Sequence, residues 1–173
     1  DTICSYCSKL IKLKKEKEAI VCLEKHELKN PKNEQVKILL GLAYFKKQQF
    51  ELAQTFYLKV IKLNNNNVDA YMMLGNCYEK LGNLGLAKKY YDESLRVNPN
   101  NIETINNLAA WYFINGDILE TEKLYNLSLT KNKNNSDTRY FLSLCQLAQS
   151  NYSEGWLNFN YRWFANEYNS SKF

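Results

Sequence analysis

Residues 68–101 read VDAYMMLGNCYEKLGNLGLAKKYYDESLRVNPNN, and this stretch carries the clearest structural signal in the chain. Its apolar residues form two groups, each with spacings of three and four residues, which is the pattern of a helix with one buried face. Gly82-Asn83 separates the groups, and Pro99 follows the second one. Because glycine ends helices readily and proline cannot continue one, the pattern predicts helices from about Asp69 to Leu81 and from about Leu84 to Val97.

The same pattern recurs every 34 residues along the chain. One position in the first helix of each copy is large, and the position after it is small. The large position is Tyr6, Leu40, Leu74, Leu108 and Leu142, and the small one is Cys7, Gly41, Gly75, Ala109 and Ser143. Two helices can approach closely where such small residues lie. The sequence therefore divides into repeats at 1–33 (truncated), 34–67, 68–101, 102–135 and 136–164, followed by a C-terminal tail at 165–173.

The second helix of each copy shows the same regularity. A small position, at Ala19, Ala53, Ala87, Thr121 and Gly155, is followed four residues later by a large one, at Leu23, Tyr57, Tyr91, Tyr125 and Phe159. In the first helix, a further large position is Leu10, Tyr44, Tyr78 and Tyr112, but the last copy has the polar Gln146 there. We expect the tyrosines to fill the space beside the small residues.

The pattern L-G-x-x-Y, then A-x-x-x-Y, then P, resembles the tetratricopeptide repeat (TPR) family, whose helix-turn-helix repeat has the same length. The resemblance covers nearly the whole chain, with departures at Gln146, Lys133, Asn65 and the bulky Trp111. It implies an all-α fold, in which about five repeats form a single α-solenoid with a right-handed superhelical curve over residues 1–173.

In this family, the first helix of each repeat lines a concave face, and partner peptides usually lie there. The position of each residue within its repeat then predicts which side chains face the groove. The predicted partner-binding residues are Ile38, Leu39, Leu42, Phe45, Met72, Met73, Asn76, Lys80, Asn107 and Phe113. Accessible apolar residues of this kind mark binding sites, and methionine adapts well to helical partners. The alternative is that the neighbouring helices bury these side chains.

The resemblance favours a protein–protein interaction scaffold or adaptor that binds an apolar or helical peptide in this groove. Some TPR domains bind the acidic tails of chaperones through a clamp of cations. The matching positions here are Ile38, Leu42, Met73, Glu103 and Asn107, and none of them is a cation. We therefore do not expect the chain to bind an acidic chaperone tail.

The end of the chain is rich in aromatic residues. Eight of them lie in residues 152–173, at Tyr152, Trp156, Phe159, Tyr161, Trp163, Phe164, Tyr168 and Phe173. A solenoid needs a cover on its last repeat, and large aromatic residues also anchor interfaces. The sequence therefore predicts a C-terminal cap or an interface formed by Trp156, Phe159, Trp163 and Phe164, and self-association of the chain remains an alternative function.

The stretch from Glu154 to Trp163, EGWLNFNYRW, also resembles the last repeat of TPR arrays that precede bacterial glycosyltransferase-like domains. This second resemblance implies another alternative, in which the chain is a regulatory or substrate-presenting arm of a larger enzyme.

Composition and motifs argue against several other functions. The net charge is +5, but the basic residues are not clustered with aromatic ones as in a dedicated nucleic-acid-binding domain. No apolar stretch approaches the roughly 20 residues that span a membrane, and we expect no signal peptide. The sequence has no nucleotide-binding, metalloprotease or hydrolase motif and a single histidine, so we predict no catalysis and no cofactor.

The cysteines and asparagines invite two further interpretations. Five cysteines at mostly apolar positions suggest buried, reduced thiols and a cytoplasmic protein. Cys4 and Cys7 form a lone C-x-x-C pair without the second pair that a structural zinc site needs, so we predict no metal. We interpret the abundance of asparagine as a coding bias and not as a functional feature.

Overall fold

The computed structural model describes residues 2–165, which contain ten α-helices, one 3₁₀-helix (η1) and no strand. The helices are α1 (Thr2–Lys12), α2 (Glu16–Lys29), α3 (Glu34–Lys46), α4 (Phe50–Leu63), α5 (Val68–Lys80), α6 (Leu84–Val97), α7 (Ile102–Ile114), α8 (Ile118–Lys131), α9 (Ser136–Ala148), α10 (Tyr152–Phe159) and η1 (Asn160–Trp163). Of the predicted tail, only Ala165 is described, so Tyr168 and Phe173 lie outside the described residues.

The helices fall into two compact units, which we call unit 1 (α1–α6, up to Pro99) and unit 2 (from Asn100 on, with α7–α10 and η1). Within each unit, every helix packs against the next one along the chain, and α1 also contacts α3. The prediction of an all-α fold is confirmed. In the repeat 68–101, α5 begins and ends one residue before its predicted bounds, and α6 has the bounds that the sequence predicts.

Asparagine starts the first helix of four repeats. The side-chain oxygens of Asn33, Asn67, Asn101 and Asn135 each accept a hydrogen bond from the backbone N–H three residues later, at the beginning of α3, α5, α7 and α9. Such a cap stabilises a helix by about 1 kcal/mol relative to alanine. The interpretation of asparagine as a coding bias is therefore incomplete, because these four residues, spaced 34 apart, have a structural role.

The small residues of unit 1 lie under buried tyrosine rings, as the repeat pattern predicts. A Cβ atom built on Gly75 would lie 2.5 Å from Cε1 of Tyr91, and one built on Gly41 would lie 2.7 Å from Cζ of Tyr57. Both rings are almost completely buried. The Tyr91 hydroxyl lies within hydrogen-bonding distance of Oδ1 of Asn76, at 2.7 Å. These contacts fix the separation of α3 from α4 and of α5 from α6.

Two residues differ from what their repeat positions suggest. Tyr6 is 55% exposed although its counterparts Leu40 and Leu74 are buried, since α1 packs on α2 and α3 and neither covers the ring. Gln146 is buried where three of the other repeats have tyrosine, and its Oε1 accepts a hydrogen bond of 2.9 Å from Nδ2 of Asn158 on α10. The departure at Gln146 is thus compensated by a polar partner.

A buried lysine lies in the core of unit 1, at a repeat position that is tyrosine or isoleucine in the two following repeats. Lys37 is 4% exposed, and its ammonium lies 3.4 Å from Oε1 of Glu27 and donates to the Pro31 carbonyl. The same Glu27 oxygen is 3.7 Å from the ammonium of the more exposed Lys59. Since a buried cation depends on its counter-ion, Glu27 should matter more for stability than an ordinary surface carboxylate.

Replacing Glu27 with alanine is expected to lower the free energy of unfolding by about 1–3 kcal/mol, because Lys37 then stays buried without its carboxylate. Lys59→Ala removes the exposed partner of the same carboxylate and should cost less than about 1 kcal/mol. Lys37→Met should cost less than Glu27→Ala, since it removes the buried charge itself. Urea denaturation followed by circular dichroism measures all three, and the opposite order of Glu27→Ala and Lys37→Met would contradict this account.

Candidate functional site

Eight of the ten predicted groove residues lie on α3 and α5 in unit 1. On α3, Ile38, Leu42 and Phe45 are spaced four and three residues apart, so they share one side of the helix. On α5, Met73, Asn76 and Lys80 are spaced three and four residues apart and also share one side. We call these six residues the unit 1 groove surface.

Leu39 and Met72, the other two predicted residues of unit 1, do not contribute to this surface. Leu39 is 5% exposed and Met72 is 6% exposed. Leu39 lies about 100° around the helix from Ile38 and packs in one cluster with residues of α1 and α2, such as Leu10 and Ile20. These two side chains are therefore buried, which is the alternative to a groove position that the sequence left open.

The unit 1 groove surface has a fixed apolar base. Ile38, Phe45 and Met73 are half-buried and pack against one core cluster that includes Leu74 and Cys77. Such side chains keep part of their surface accessible, while the core residues on which they pack fix their positions. This arrangement suits a preformed binding surface.

Asn76 also belongs to this fixed base, because its side-chain amide is held within the protein. Its Oδ1 accepts from the Tyr91 hydroxyl, and its Nδ2 lies 3.6 Å from Sδ of Met73. The Asn76 side chain therefore links α5 to α6 and contacts Met73.

An open hollow of about 470 Å³ lies at one end of the unit 1 groove surface. It is lined by Phe45, Lys46, Gln48, Phe50 and Lys80. The rings of Phe45 and Phe50 meet edge to face, with their centroids 5.3 Å apart. Phe50 is not among the predicted groove residues. The first residue of the second helix is also apolar at Leu84 and Ile118, and this regularity is the sequence signal that identifies it.

In unit 2, the two predicted groove residues have different surroundings. Asn107 is half-buried on α7. Phe113 is 37% exposed and lines an apolar pocket of about 210 Å³, which we call the unit 2 pocket; its lining residues are Ala110, Phe113, Ile114, Tyr125, Phe141 and Leu144. Tyr125 was assigned only to the core, where its counterparts Tyr57 and Tyr91 lie, but its ring also forms part of this pocket.

The predicted C-terminal aromatic residues are mostly accessible. Trp156, Trp163 and Phe164 are each more than half exposed, whereas Phe159 is half-buried with its ring centroid 5.9 Å from that of Tyr140. The guanidinium of Arg162 lies 4.5 Å from the ring centroids of both Phe159 and Trp163. Among the described residues, three of the four predicted aromatic side chains thus offer accessible apolar surface.

Besides Phe159, the contact of α10 with α9 is made by residues outside the predicted set. A Cβ atom built on Gly155 would lie 2.8 Å from Cγ of Leu147, and Asn158 hydrogen-bonds to Gln146. Gly155 and Asn158 are buried, so the α9–α10 packing does not depend on the tryptophans.

Burial shields four of the five thiols from chemistry, since Cys22 is half-buried and the others are buried. All five cysteines are free, and burial raises the pKa of Cys77 and that of Cys145 to about 12. A thiol with so high a pKa stays protonated at neutral pH and is a poor nucleophile. In residues 2–165 there is no group of three or more histidine, cysteine or carboxylate side chains placed to hold a metal ion.

None of the helices in this described range combines the length and apolar composition needed to cross a membrane.

Two family models match the centre of the chain. Residues 68–101 match the tetratricopeptide repeat, and residues 41–82 match a TPR repeat model. The two matches together cover residues 41–101. A comparison with curated protein sequences finds no match.

Solved structures of TPR proteins have the same fold. The chain is similar to a thermophilic TPR protein of Thermus thermophilus, with a TM-score of 0.79 and 17% identity over 92% of this chain and 87% of that one. It is also similar to YrrB, a TPR protein with an unusual peptide-binding site, with a TM-score of 0.67 and 16% identity over 92% of this chain and 82% of that one. At identities this low, the structural similarity bears on the fold alone, and it confirms an all-α TPR fold.

A shorter match has a higher identity. The first TPR domain of Spaghetti (RPAP3), bound to the HSP90 peptide SRMEEVD, is 29% identical over 66% of this chain and 91% of that one, with a TM-score of 0.63.

Proposed function

We propose that this protein is an interaction scaffold or adaptor that binds an apolar or helical peptide segment of another protein through the unit 1 groove surface. The observation that carries the proposal is the row of half-buried apolar side chains on α3 and α5, formed by Ile38, Leu42, Phe45 and Met73. Apolar side chains that stay accessible on a packed helical surface typically mark a binding site. In unit 2, Asn107 and Phe113 on α7 are the proposed contacts.

The structural relatives support peptide binding without naming the partner. YrrB has a peptide-binding site, and the Spaghetti domain is bound to an HSP90 peptide, SRMEEVD, with three acidic residues among its last four. Carboxylates are held by cations. The matching positions in unit 1 are Ile38, Leu42 and Met73, so we propose an apolar partner in preference to an acidic chaperone tail.

Met73→Glu is expected to abolish the binding of peptides that are selected on the wild-type protein from a phage-displayed random library. The glutamate places a charge in the apolar face of the groove, where a partner would have to remove its hydration. Fluorescence anisotropy with the selected peptides measures the effect, and circular dichroism checks that the helices remain.

Thr55→Glu is the matched control, because it introduces the same charge at an exposed position of α4. Lys80→Glu is a second groove variant, and it cannot disturb the core because Lys80 is exposed. If every selected peptide binds Met73→Glu and Lys80→Glu as well as it binds the wild type, the unit 1 groove surface is not the site.

Self-association is a second candidate function, favoured by the exposed rings of Trp156, Trp163 and Phe164. Aromatic residues of this size are common interface anchors. Sedimentation over a range of concentrations tests it, and a monomer at all concentrations would exclude it.

The proposal that the chain is an arm of a glycosyltransferase-like enzyme is supported only by the EGWLNFNYRW stretch. Reading the parent gene on both sides of these residues tests it directly. We propose a cytoplasmic location on the basis of the free cysteines, and we expect neither catalysis by these residues nor binding of nucleic acid.

A further inference from the structure

The geometry of unit 2 points to a more specific partner: we infer that the unit 2 pocket accepts one bulky apolar side chain, aromatic or branched aliphatic, from a positively charged peptide segment. This inference rests on the proposed function and adds the chemical class of the partner and the residues that select it.

The size of the pocket sets the size of the anchor. An apolar cavity of about 150 Å³ in a protein core is large enough to bind benzene. The unit 2 pocket has about 210 Å³, which is room for one aromatic ring or one branched aliphatic side chain but not for two rings.

The walls of the pocket favour an apolar anchor. Five of its six lining side chains have no polar atom and the sixth is Tyr125, so a charged or amide group inside it would lose most of its hydration. The back wall is preformed, because the rings of Tyr125 and Phe141 stack with centroids 6.1 Å apart and an interplanar angle of 16°. The rim is accessible, since Ile114 is 63% exposed.

The helix faces beside the pocket carry only negative charge. On α7, Glu103 lies on the same side as Ala110 and Ile114, seven and eleven residues further along. On α9, Asp137 lies on the same side as Phe141 and Leu144, four and seven residues further along. The last residue on the α9 side is Ala148, and neither side includes a lysine or an arginine.

The ends of these helices add to the negative potential. A helix C-terminus carries a partial negative charge, which a basic residue in the last turn usually offsets. Lys46 and Lys80 do so on α3 and α5, whereas the last turns of α7 and α9 contain no basic residue. Lysine or arginine on either side of the anchor would therefore be attracted to unit 2.

The test uses three synthetic peptides with a glycine and serine background. The first has one phenylalanine flanked by lysines, the second has alanine in place of the phenylalanine, and the third has glutamates in place of the lysines. Binding of each fluorescent peptide to the full chain is measured by anisotropy. We expect the first to bind and each of the other two to bind at least about tenfold more weakly.

Two variants locate the binding. Ala110→Phe fills the pocket with a ring, and Ile114→Lys adds a positive charge at the exposed rim, where it cannot disturb the core. Each should weaken binding of the first peptide at least about tenfold, whereas Thr55→Glu, at an exposed position of α4, should change it less than about twofold. The inference is overturned if the first peptide does not bind, if the glutamate peptide binds as tightly, or if both unit 2 variants bind like the wild type.

The result separates the two proposals. In one outcome, library peptides bind Met73→Glu more weakly but bind Ala110→Phe normally, and the lysine-flanked probe does not bind. This outcome would overturn the inference and leave the proposed function standing. In the other outcome, the lysine-flanked probe binds at the unit 2 pocket, but no library peptide is sensitive to Met73→Glu. This outcome would overturn only the proposed binding at the unit 1 groove surface.

Discussion

Replacing Gly75 with valine is expected to lower the free energy of unfolding by about 2–4 kcal/mol, because the new side chain would overlap a ring that cannot move away. A Cβ atom at this position would already lie 2.5 Å from Cε1 of Tyr91 and 3.2 Å from the Ala87 carbonyl oxygen. Tyr91 is fully buried, and its hydroxyl is held by Asn76. The helices α5 and α6 would therefore have to separate. Urea denaturation followed by circular dichroism measures the loss.

Gly85→Ala is the matched control on the partner helix. A Cβ atom at Gly85 would meet nothing closer than Oδ1 of Asn83 at 4.0 Å. Alanine is the better helix former, so this variant should be as stable as the wild type or up to about 1 kcal/mol more stable. If Gly75→Val unfolds at the wild-type urea concentration, the close contact with Tyr91 does not hold α5 and α6 together.

The protein is expected to lose stability steeply above about pH 9, where the thiols of the unfolded chain ionise. Burial raises the pKa of Cys77 and that of Cys145 to about 12, so both thiols stay protonated in the folded state. Between these values the unfolded state binds fewer protons, and the free energy of unfolding falls as pH rises. Each thiol contributes up to about 1.4 kcal/mol per pH unit, and its stabilisation is fully present below about pH 8.5.

Urea denaturation at several pH values between about 8 and 11 tests this prediction. The double variant Cys77→Ala and Cys145→Ala should be less stable at neutral pH but should lose stability less steeply with rising pH. Some slope should remain, because burial also raises the pKa of Tyr57 and that of Tyr91. Equal slopes for the variant and the wild type would show that the two thiols ionise as easily in the folded protein as in the unfolded chain.

The repeat pattern predicted the helices because it records contacts that recur in each copy. Gly82-Asn83 and Pro99 set the bounds of α6 correctly, and the small positions such as Gly41 and Gly75 lie under the tyrosines that follow them. The predicted groove residues were less accurate, because two of them are buried. Successive residues on a helix differ in direction by about 100°, so a step of one residue can lead from the groove face into the core. Leu39 and Met72 are neighbours of Ile38 and Met73 in sequence, but they point into the core.

Other features depend on contacts that one repeat does not reveal. The pairing of Gln146 with Asn158 requires a polar residue on a second helix, so the glutamine alone looks like a misfit. The unit 2 pocket needs Phe113, Tyr125 and Phe141 from three helices, and the repeat assigns Tyr125 to the core. The exposure of Tyr6 and of Trp156 depends on which helices cover them, which spacing within a repeat does not state.

The most direct test of the proposed binding surface uses the two methionines of the chain, Met72 and Met73. Their methyl groups, labelled with ¹³C, give two NMR signals, which Met73→Leu assigns. Met73 belongs to the unit 1 groove surface, and Met72 is buried beside it. On titration with a peptide selected on the protein, we expect the Met73 signal to shift to saturation and the Met72 signal to move much less. Saturation of the protein with every selected peptide while the Met73 signal stays in place would contradict the account.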